Sequence, residues 1–207
     1  MKKSFITSSI ALALFAAACA STPPEPAAAP EAAAPPAEPA PAPAEAAPEA
    51  APEAAAPAAP PRTIEVTLEP KSKSKLVGKA TFTETEGGVH VVLNVEGIEP
   101  GDHGTHIHET GDCSSPDGKS AGGHFNPHTK DHGLPGAEKR HLGDLGNITI
   151  GKDGKGTLEI TAPGANLKEG DASSFVGRAI IVHAKKDDGG QPVGNAGDRV
   201  GCGVIKG

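Results

Sequence analysis

The sequence is poor in aromatic residues and in basic charge. Its 207 residues include no Trp, no Tyr and only five Phe, and the formal net charge is −7. A protein that binds nucleic acid needs basic patches for the phosphates and aromatic platforms for the bases, and both are scarce in this chain. The composition therefore excludes nucleic acid as a partner.

Long apolar runs are also missing, and the nearest approach to one lies at the start of the chain. Residues 1–18 read MKKSFITSSIALALFAAA, in which two lysines precede a short apolar run that ends in small residues. The run is too short, and too interrupted by Thr7, Ser8 and Ser9, for a stable transmembrane helix. The pattern predicts a signal peptide over residues 1–18 and an exported protein.

Cys19 follows the signal peptide directly. The stretch AAAC that ends at Cys19 resembles the lipobox of bacterial lipoproteins, in which the cysteine becomes the lipidated first residue of the mature chain. The resemblance departs at Ala16, where lipoproteins usually have Leu, and plain cleavage after Ala18 or Ala20 is the alternative. The resemblance implies a periplasmic protein anchored to a membrane through Cys19, and the absence of Asp directly after Cys19 favours the outer membrane.

Residues 19–62 consist almost entirely of Ala, Pro and Glu, and they hold fourteen of the 21 prolines. A segment with so few large apolar side chains cannot offset the entropy of folding. We expect a disordered spacer of polyproline character, which is semi-rigid and extended. Such a spacer suits a domain that is tethered at Cys19 and held away from a membrane.

The remaining residues, 63–207, suffice for a single core. Short β-branched runs that alternate apolar and polar residues, such as Ile64–Leu68 and Val89–Val95, predict strands. Turn pairs such as Gly87-Gly88 separate these runs, and no segment has a helical period. About eight strands are expected, which predicts an all-β domain built as an antiparallel sandwich or barrel.

Two connections between these strands, Glu109–Leu145 and Ala184–Asp198, are too long for hairpins. Loops of this length inside a compact domain are usually functional or disordered. The first connection carries four of the nine histidines, so we interpret it as functional.

The histidines form a pattern that a metal site would require. His106 and His108 stand two residues apart on a predicted strand, so both side chains face the same way. The remaining candidates lie in the first long connection and at the end of a later strand: His124, His132, His141, Asp144 and His183. Six His and one Asp exceed one tetrahedral site and suit two adjacent ions that share a ligand. A single His is more often a surface residue, and we expect no ligand role for His90, His103 or His128.

Two cysteines, Cys113 and Cys202, lie within the predicted domain. An even pair of cysteines in an exported protein indicates a disulfide bond. Two thiolate metal ligands are the alternative, which is less favoured because the histidines already supply a fuller ligand set.

Five segments of residues 63–207 resemble the bacterial copper, zinc superoxide dismutases. They are HGTHIHETGDC from His103, AGGHFNPHTKDHGLPG from Ala121, RHLGDLGNI from Arg140, IVHAKKDD from Ile181 and GNAGDRVGCGVI from Gly194. The segments occur in the order of the family and with its spacing between the histidines. The resemblance implies an eight-stranded Greek-key sandwich or barrel in which two long loops form the metal site.

The resemblance also implies one copper ion and one zinc ion per chain. The copper ligands would be His106, His108, His124 and His183. The zinc ligands would be His124, His132, His141 and Asp144. Asp187 would link a copper-binding His to a zinc-binding His, and Cys113 and Cys202 would form the family's disulfide bond.

The implied reaction converts superoxide to dioxygen and hydrogen peroxide by alternating reduction and reoxidation of the copper. His124 would deliver a proton, and Arg199 would guide the superoxide anion to the copper. Family members differ in oligomeric state, and a homodimer is compatible with the resemblance. The alternative interpretation is a metal buffer or delivery protein, which would keep the histidines but would not need Arg199.

Overall fold

The computed structural model of this chain describes residues 60–207. The predicted signal peptide, Cys19 and nearly all of the predicted spacer lie outside the described residues. Within residues 60–207, no helix is long and apolar enough to cross a membrane.

Eight strands and one short 3₁₀ helix make up the described part of the chain. The strands are β1 (Thr63–Pro70), β2 (Val77–Thr85), β3 (Gly88–Glu96), β4 (Gly101–His108), β5 (Asp144–Ile150), β6 (Lys155–Ala162), β7 (Ala179–His183) and β8 (Arg199–Val204). The 3₁₀ helix, Lys119–Ala121, lies between β4 and β5. The predicted strands Ile64–Leu68 and Val89–Val95 lie within β1 and β3, and the number of strands agrees with the expected eight.

The strands form one antiparallel sheet in the order β5-β4-β7-β8-β1-β2-β3-β6, which curves into a nearly closed barrel. The neighbours β3 and β6 are far apart in sequence, as are β4 and β7, so connections cross the ends of the barrel as in a Greek key. The predicted all-β class is therefore confirmed, and so is the barrel architecture.

Side chains that alternate along the strands fill the interior of the barrel. On β3, Val89, Val91, Leu93 and Val95 are buried, and the residues between them are more exposed. Burial of these apolar side chains stabilises the fold by roughly 1.5–3 kcal/mol for each one. The pattern on β3 is the one that the sequence predicts.

Strands β4 and β7 depart from this alternation. Six consecutive residues of β4, His103–His108, are buried, and so is every residue of β7. One face of each strand meets the interior of the barrel, and long loops cover the other face. Histidines on these strands are therefore shielded from water whichever way they point.

A third long connection, between β6 and β7, contradicts the expectation of only two. It runs through residues 163–178 and places Leu167 and Phe175 fully in the core. The Phe175 ring packs edge-on against Phe82 with the ring centroids 6.3 Å apart. This connection lacks ligand-type residues at a metal spacing, so sequence patterns gave no reason to single it out.

Candidate metal centre

Four buried histidines meet beside β4. His106 and His108 come from β4, and His183 ends the neighbouring strand β7. The first long loop returns alongside β4, where the Phe125 amide donates to the Ile107 carbonyl (2.8 Å) and His124 bridges to His108. One ring nitrogen from each of the four histidines lies within 4.8 Å of those of the others.

Three of these histidines have one ring nitrogen fixed and the other free. His108 Nδ1 lies 3.0 Å from the Gly122 carbonyl, His183 Nδ1 lies 3.1 Å from the Gly197 carbonyl, and His106 Nε2 lies 2.8 Å from Asp187 Oδ2. The opposite nitrogens are buried and have no hydrogen-bond partner among residues 60–207: His106 Nδ1, His108 Nε2 and His183 Nε2.

Leaving a buried nitrogen unpaired costs about 1–3 kcal/mol. Three such nitrogens converge here, and their rings are held from behind by carbonyl and carboxylate groups. Metal-binding histidines in proteins are oriented in the same way. The four residues therefore fit an ion that prefers imidazole, such as copper.

A second group surrounds Asp144, the first residue of β5. Asp144 Oδ1 lies 3.0 Å from His124 Nδ1 and 3.2 Å from His141 Nδ1, and Asp144 Oδ2 lies 3.0 Å from His132 Nδ1. The last pair is close, but it lacks hydrogen-bond geometry, and His132 Nδ1 has no partner. Three nitrogens and one carboxylate that converge in this way fit a tetrahedral zinc ion.

His124 belongs to both groups. Its Nδ1 faces Asp144, which leaves the opposite ring nitrogen, Nε2, for the group on β4. The His124 ring stacks on the His106 ring with the centroids 4.0 Å apart. The structure thus brings all seven predicted ligand residues together, with the predicted residue shared between the two groups.

Asp187 joins the two groups from the second long loop. Its Oδ2 lies 2.8 Å from His106 Nε2 and its Oδ1 lies 3.0 Å from His132 Nε2, and the carboxylate is fully buried. Asn147 on β5 holds the backbone of Asp187 by two hydrogen bonds, in which Asn147 Nδ2 donates to the Asp187 carbonyl (2.9 Å) and the Asp187 amide donates to Asn147 Oδ1 (2.7 Å). Asn147 lies within the segment RHLGDLGNI that the sequence analysis names, but only the fold brings it into contact with Asp187.

Arg199 begins β8 and pairs with His183 across the sheet. Its Nη1 donates to the Gly118 carbonyl (2.8 Å) and its Nη2 to the Gly122 carbonyl (2.6 Å). The Gly122 carbonyl also fixes His108, so one backbone group holds both side chains. Arg199 lines an open cavity of about 330 Å³ together with His108, His124 and His183.

A disulfide bond between Cys113 and Cys202 ties the first loop to β8, with the Cα atoms 5.8 Å apart. The pairing confirms the predicted disulfide and rules out the alternative of two thiolate ligands. Lys71, which no sequence motif marks, is buried, and its Nζ donates to the Cys113 carbonyl. Both contacts hold the part of the loop that presents Gly118 and Gly122 to Arg199.

Burial keeps three of the site histidines, His108, His124 and His183, neutral. Desolvation, assisted by repulsion from neighbouring histidines, lowers the pKa of His108 to about 2, that of His183 to about 3 and that of His124 to about 4. Their lone pairs are therefore free to bind a cation at neutral pH.

The two carboxylates of the site stay ionised. Burial raises the pKa of Asp144, but hydrogen bonds from His124 and His141 outweigh it and hold that pKa well below the usual range. In the same way, His106 and His132 outweigh burial and lower the pKa of Asp187 to about 2. Two negative charges therefore lie buried within the site, an arrangement that favours cations.

The other three histidines lie outside both groups, as predicted. His103 is buried between two carbonyls, with Nδ1 2.8 Å from the His183 oxygen and Nε2 2.9 Å from the Glu99 oxygen. His90 pairs with Glu159 on the surface (3.1 Å), and His128 lies 3.4 Å from Ser173 Oγ.

Comparisons with known proteins agree with this geometry. Residues 76–205 match the family model described as copper/zinc superoxide dismutase. The Cu-Zn superoxide dismutase 2 of Aquifex aeolicus is 41% identical over 140 residues, which are 65% of this chain and 82% of that protein.

Solved structures share the fold of this chain. The crystal structure of a SOD-like protein from Bacillus subtilis is 37% identical, covers 68% of this chain and 97% of its own, and superposes with a TM-score of 0.62. The clock protein EA4 is 36% identical, covers 72% of this chain and 96% of its own, and superposes with a TM-score of 0.64. The family model spans well over half of the chain, and the chain therefore belongs to the copper/zinc superoxide dismutases, a family of oxidoreductase enzymes.

Proposed function

We propose that this enzyme converts superoxide to dioxygen and hydrogen peroxide at a centre of one copper ion and one zinc ion per chain. The observation that carries the proposal is the set of three buried, unpartnered nitrogens on His106, His108 and His183, next to a carboxylate-centred group that shares His124. A structural role alone would not leave these nitrogens unpaired, because each unpaired group destabilises the fold.

The two groups suit different ions. His106, His108, His124 and His183 would bind copper, for which imidazole is a preferred ligand. His124, His132, His141 and Asp144 would bind zinc, which takes His and Asp ligands in tetrahedral sites and has no redox role. A bound copper ion would supply the one-electron redox chemistry that both halves of the reaction need.

His124 supplies a proton for the second half of the reaction. Asp144 holds the ring through Nδ1, so the orientation of the ring is fixed, and Nε2 would hold copper in one half of the reaction and a proton in the other. A proton held at Nε2 is delivered to the reduced substrate, and a second proton from solvent completes hydrogen peroxide. Asp187 keeps the His106 ring in place through Nε2 during both half-reactions.

Arg199 binds the anionic substrate. The guanidinium stays charged and lies in the open cavity beside His108, His124 and His183. Because the chain carries a formal net charge of −7, a local positive charge is needed to attract superoxide. Superoxide dismutases are a standard example of this electrostatic steering.

Export and anchoring are the remaining parts of the proposal. The signal peptide over residues 1–18, the lipobox-like stretch at Cys19 and the proline-rich spacer over residues 19–62 support a periplasmic enzyme tethered to the outer membrane. Mass spectrometry of the membrane-extracted protein should find a lipidated Cys19. An unmodified N-terminus after Ala18 or Ala20 would contradict the anchor.

The enzyme proposal is tested by superoxide consumption and metal content, measured on the same purified sample. We expect fast turnover with one copper and one zinc per chain, and we expect Arg199→Ala to retain both metals but to turn over slowly. If both metals bind and superoxide persists, the chain is a metal buffer or delivery protein. If only one metal binds, the two-ion centre is wrong.

A further inference from the structure

We propose that Gln191 is a positioning residue for the zinc ligand His132. This inference rests on the zinc site proposed above. Gln191 lies in the second long loop and contributes no atom to either metal-binding group. It acts on the backbone of His132 and not on the imidazole ring.

The side-chain amide of Gln191 pairs with both backbone groups of His132. The His132 amide donates to Gln191 Oε1 (3.1 Å), and Gln191 Nε2 donates to the His132 carbonyl (2.7 Å). Among the described residues, no backbone group forms a hydrogen bond with either of these two atoms. In a sheet, a neighbouring strand would form these two backbone hydrogen bonds. His132 lies in a long loop, and the Gln191 side chain forms them instead.

The same loop also holds the ring of His132. Asp187 Oδ1 lies 3.0 Å from His132 Nε2, which fixes the rotation of the ring. Gly194 packs so close that an added Cβ would lie 2.7 Å from His132 Nε2. These contacts orient the imidazole, but they do not fix the Cα position from which the ring extends.

Backbone and ring must both be fixed for His132 Nδ1 to face Asp144. The distance between His132 Nδ1 and Asp144 Oδ2 is 3.0 Å, so a backbone shift of 1 Å would change the ligand geometry appreciably. The backbone of Asp187 is fixed in a similar way, because its amide and its carbonyl both form hydrogen bonds with the Asn147 side chain. Two side-chain amides thus fix the backbones of two adjacent site residues.

The second loop offers a matched control. Asn195 also carries a side-chain amide, but this amide bonds only to the Asp188 carboxylate of its own loop, at 3.2 Å to each oxygen. Asn195 has a left-handed backbone (φ 53°), which Gly tolerates, so Asn195→Gly removes the amide and its hydrogen bonds without touching His132.

The test uses the full-length protein, stripped of metal and titrated with Co(II), a spectroscopic substitute for zinc. Gln191→Leu removes the amide, and Gln191→Asn keeps the amide but shortens its reach by one methylene. We expect both variants to bind Co(II) about 10-fold more weakly, in the range found when groups behind metal ligands are mutated. We also expect their visible Co(II) spectra to change, while Asn195→Gly matches the wild type in affinity and spectrum.

Two outcomes would overturn the inference. The first is wild-type Co(II) affinity and spectrum in both Gln191 variants. The second is an equal change in Asn195→Gly, which would indicate a general effect of the loop. The variant Asp144→Ala tests the proposed zinc site independently of Gln191. If this variant binds Co(II) as the wild type does, the proposed zinc site itself is wrong.

Discussion

One half of the barrel is built for stability and the other half for the site. The stability half consists of β1, β2, β3 and β6, where apolar residues point inwards and polar residues point outwards. Its charged residues form exposed pairs such as Lys79–Glu65 (2.8 Å). The site half consists of β4, β5, β7 and β8, where histidines and aspartates are buried.

The polar side chains of the two halves therefore contribute differently to the free energy of unfolding. Burial of apolar side chains in the stability half is favourable, and exposed ion pairs add little. The site half buries polar atoms without partners, which is unfavourable until a cation binds them. Mutations in the stability half should thus change stability alone, whereas mutations in the site half should also change metal binding and turnover.

The largest expected effect comes from removing a copper ligand. His183→Ala should lower superoxide consumption by more than about 100-fold. Mutating a group that hydrogen-bonds to a metal ligand costs about 10–100-fold, and loss of the ligand itself should cost more. Zinc should remain bound. Leu93→Ala in the stability half should lower the free energy of unfolding by about 2–5 kcal/mol without changing turnover per copper. Turnover of both variants measures the loss of activity, and thermal unfolding of both variants measures the loss of stability. A fully active His183→Ala would contradict the ligand assignment.

The disulfide bond gives the next largest effect. It joins residues 89 positions apart, so replacing both Cys113 and Cys202 by Ser should lower the free energy of unfolding by about 4–5 kcal/mol. Turnover should fall as well, because the freed loop presents Gly118 and Gly122 to Arg199 less rigidly. Urea unfolding of the variant and of the wild type measures the loss. An unchanged urea midpoint would mean that the rest of the loop already holds Cys113 in place.

Arg199→Ala should reduce the rate without removing metal. We expect turnover to fall by about 10-fold or more, because charged groups that guide substrate raise association rates by 10–10³. The rate of the variant should also depend less on ionic strength than that of the wild type, which stopped-flow measurements at low and high salt would reveal. Equal salt dependence in the two proteins would contradict the steering role.

The metal-free protein should lose stability as pH falls. Burial lowers the pKa of His108, His124 and His183 far below the ordinary value of 6.5, so the unfolded chain binds more protons than the folded chain at moderately acidic pH. Stability is therefore fully present above about pH 6.5 and declines below it towards the folded-state pKa values. Urea midpoints of the metal-free protein at pH 7.5 and pH 5 test this, and equal midpoints would contradict it.

The smallest effect is expected in the stability half. His90 is partly exposed and pairs only with Glu159, so His90→Ala should change the free energy of unfolding by no more than about 0.5 kcal/mol. Metal content and turnover should match those of the wild type. A loss of metal in this variant would mean that the two halves are not separate in function.

The sequence predicted the stability half most completely. Alternation on strands such as β3 follows directly from one buried face and one exposed face, and the structure has the same alternation. The ligand-type residues of the site half were also predictable, because their spacing and surrounding motifs are specific. The structure brings them together, while their roles as copper and zinc ligands stay predictions.

The supporting residues could not be predicted, since their roles depend on contacts across long sequence separations. Gln191 contacts His132 across 59 positions, Asn147 contacts Asp187 across 40, and Lys71 contacts Cys113 across 42. Amides and lysines are common on protein surfaces, so no local pattern marks these three. The connection 163–178 was missed for a similar reason, because Phe175 enters the core from a segment without strand alternation.

The central claim is that two different ions bind in two groups that share His124. Diffraction from crystals of the metal-loaded protein, recorded on either side of the copper and zinc absorption edges, tests it most directly. The account predicts a copper peak among His106, His108, His124 and His183, and a zinc peak among His124, His132, His141 and Asp144. A single peak, or the same metal in both groups, would contradict it.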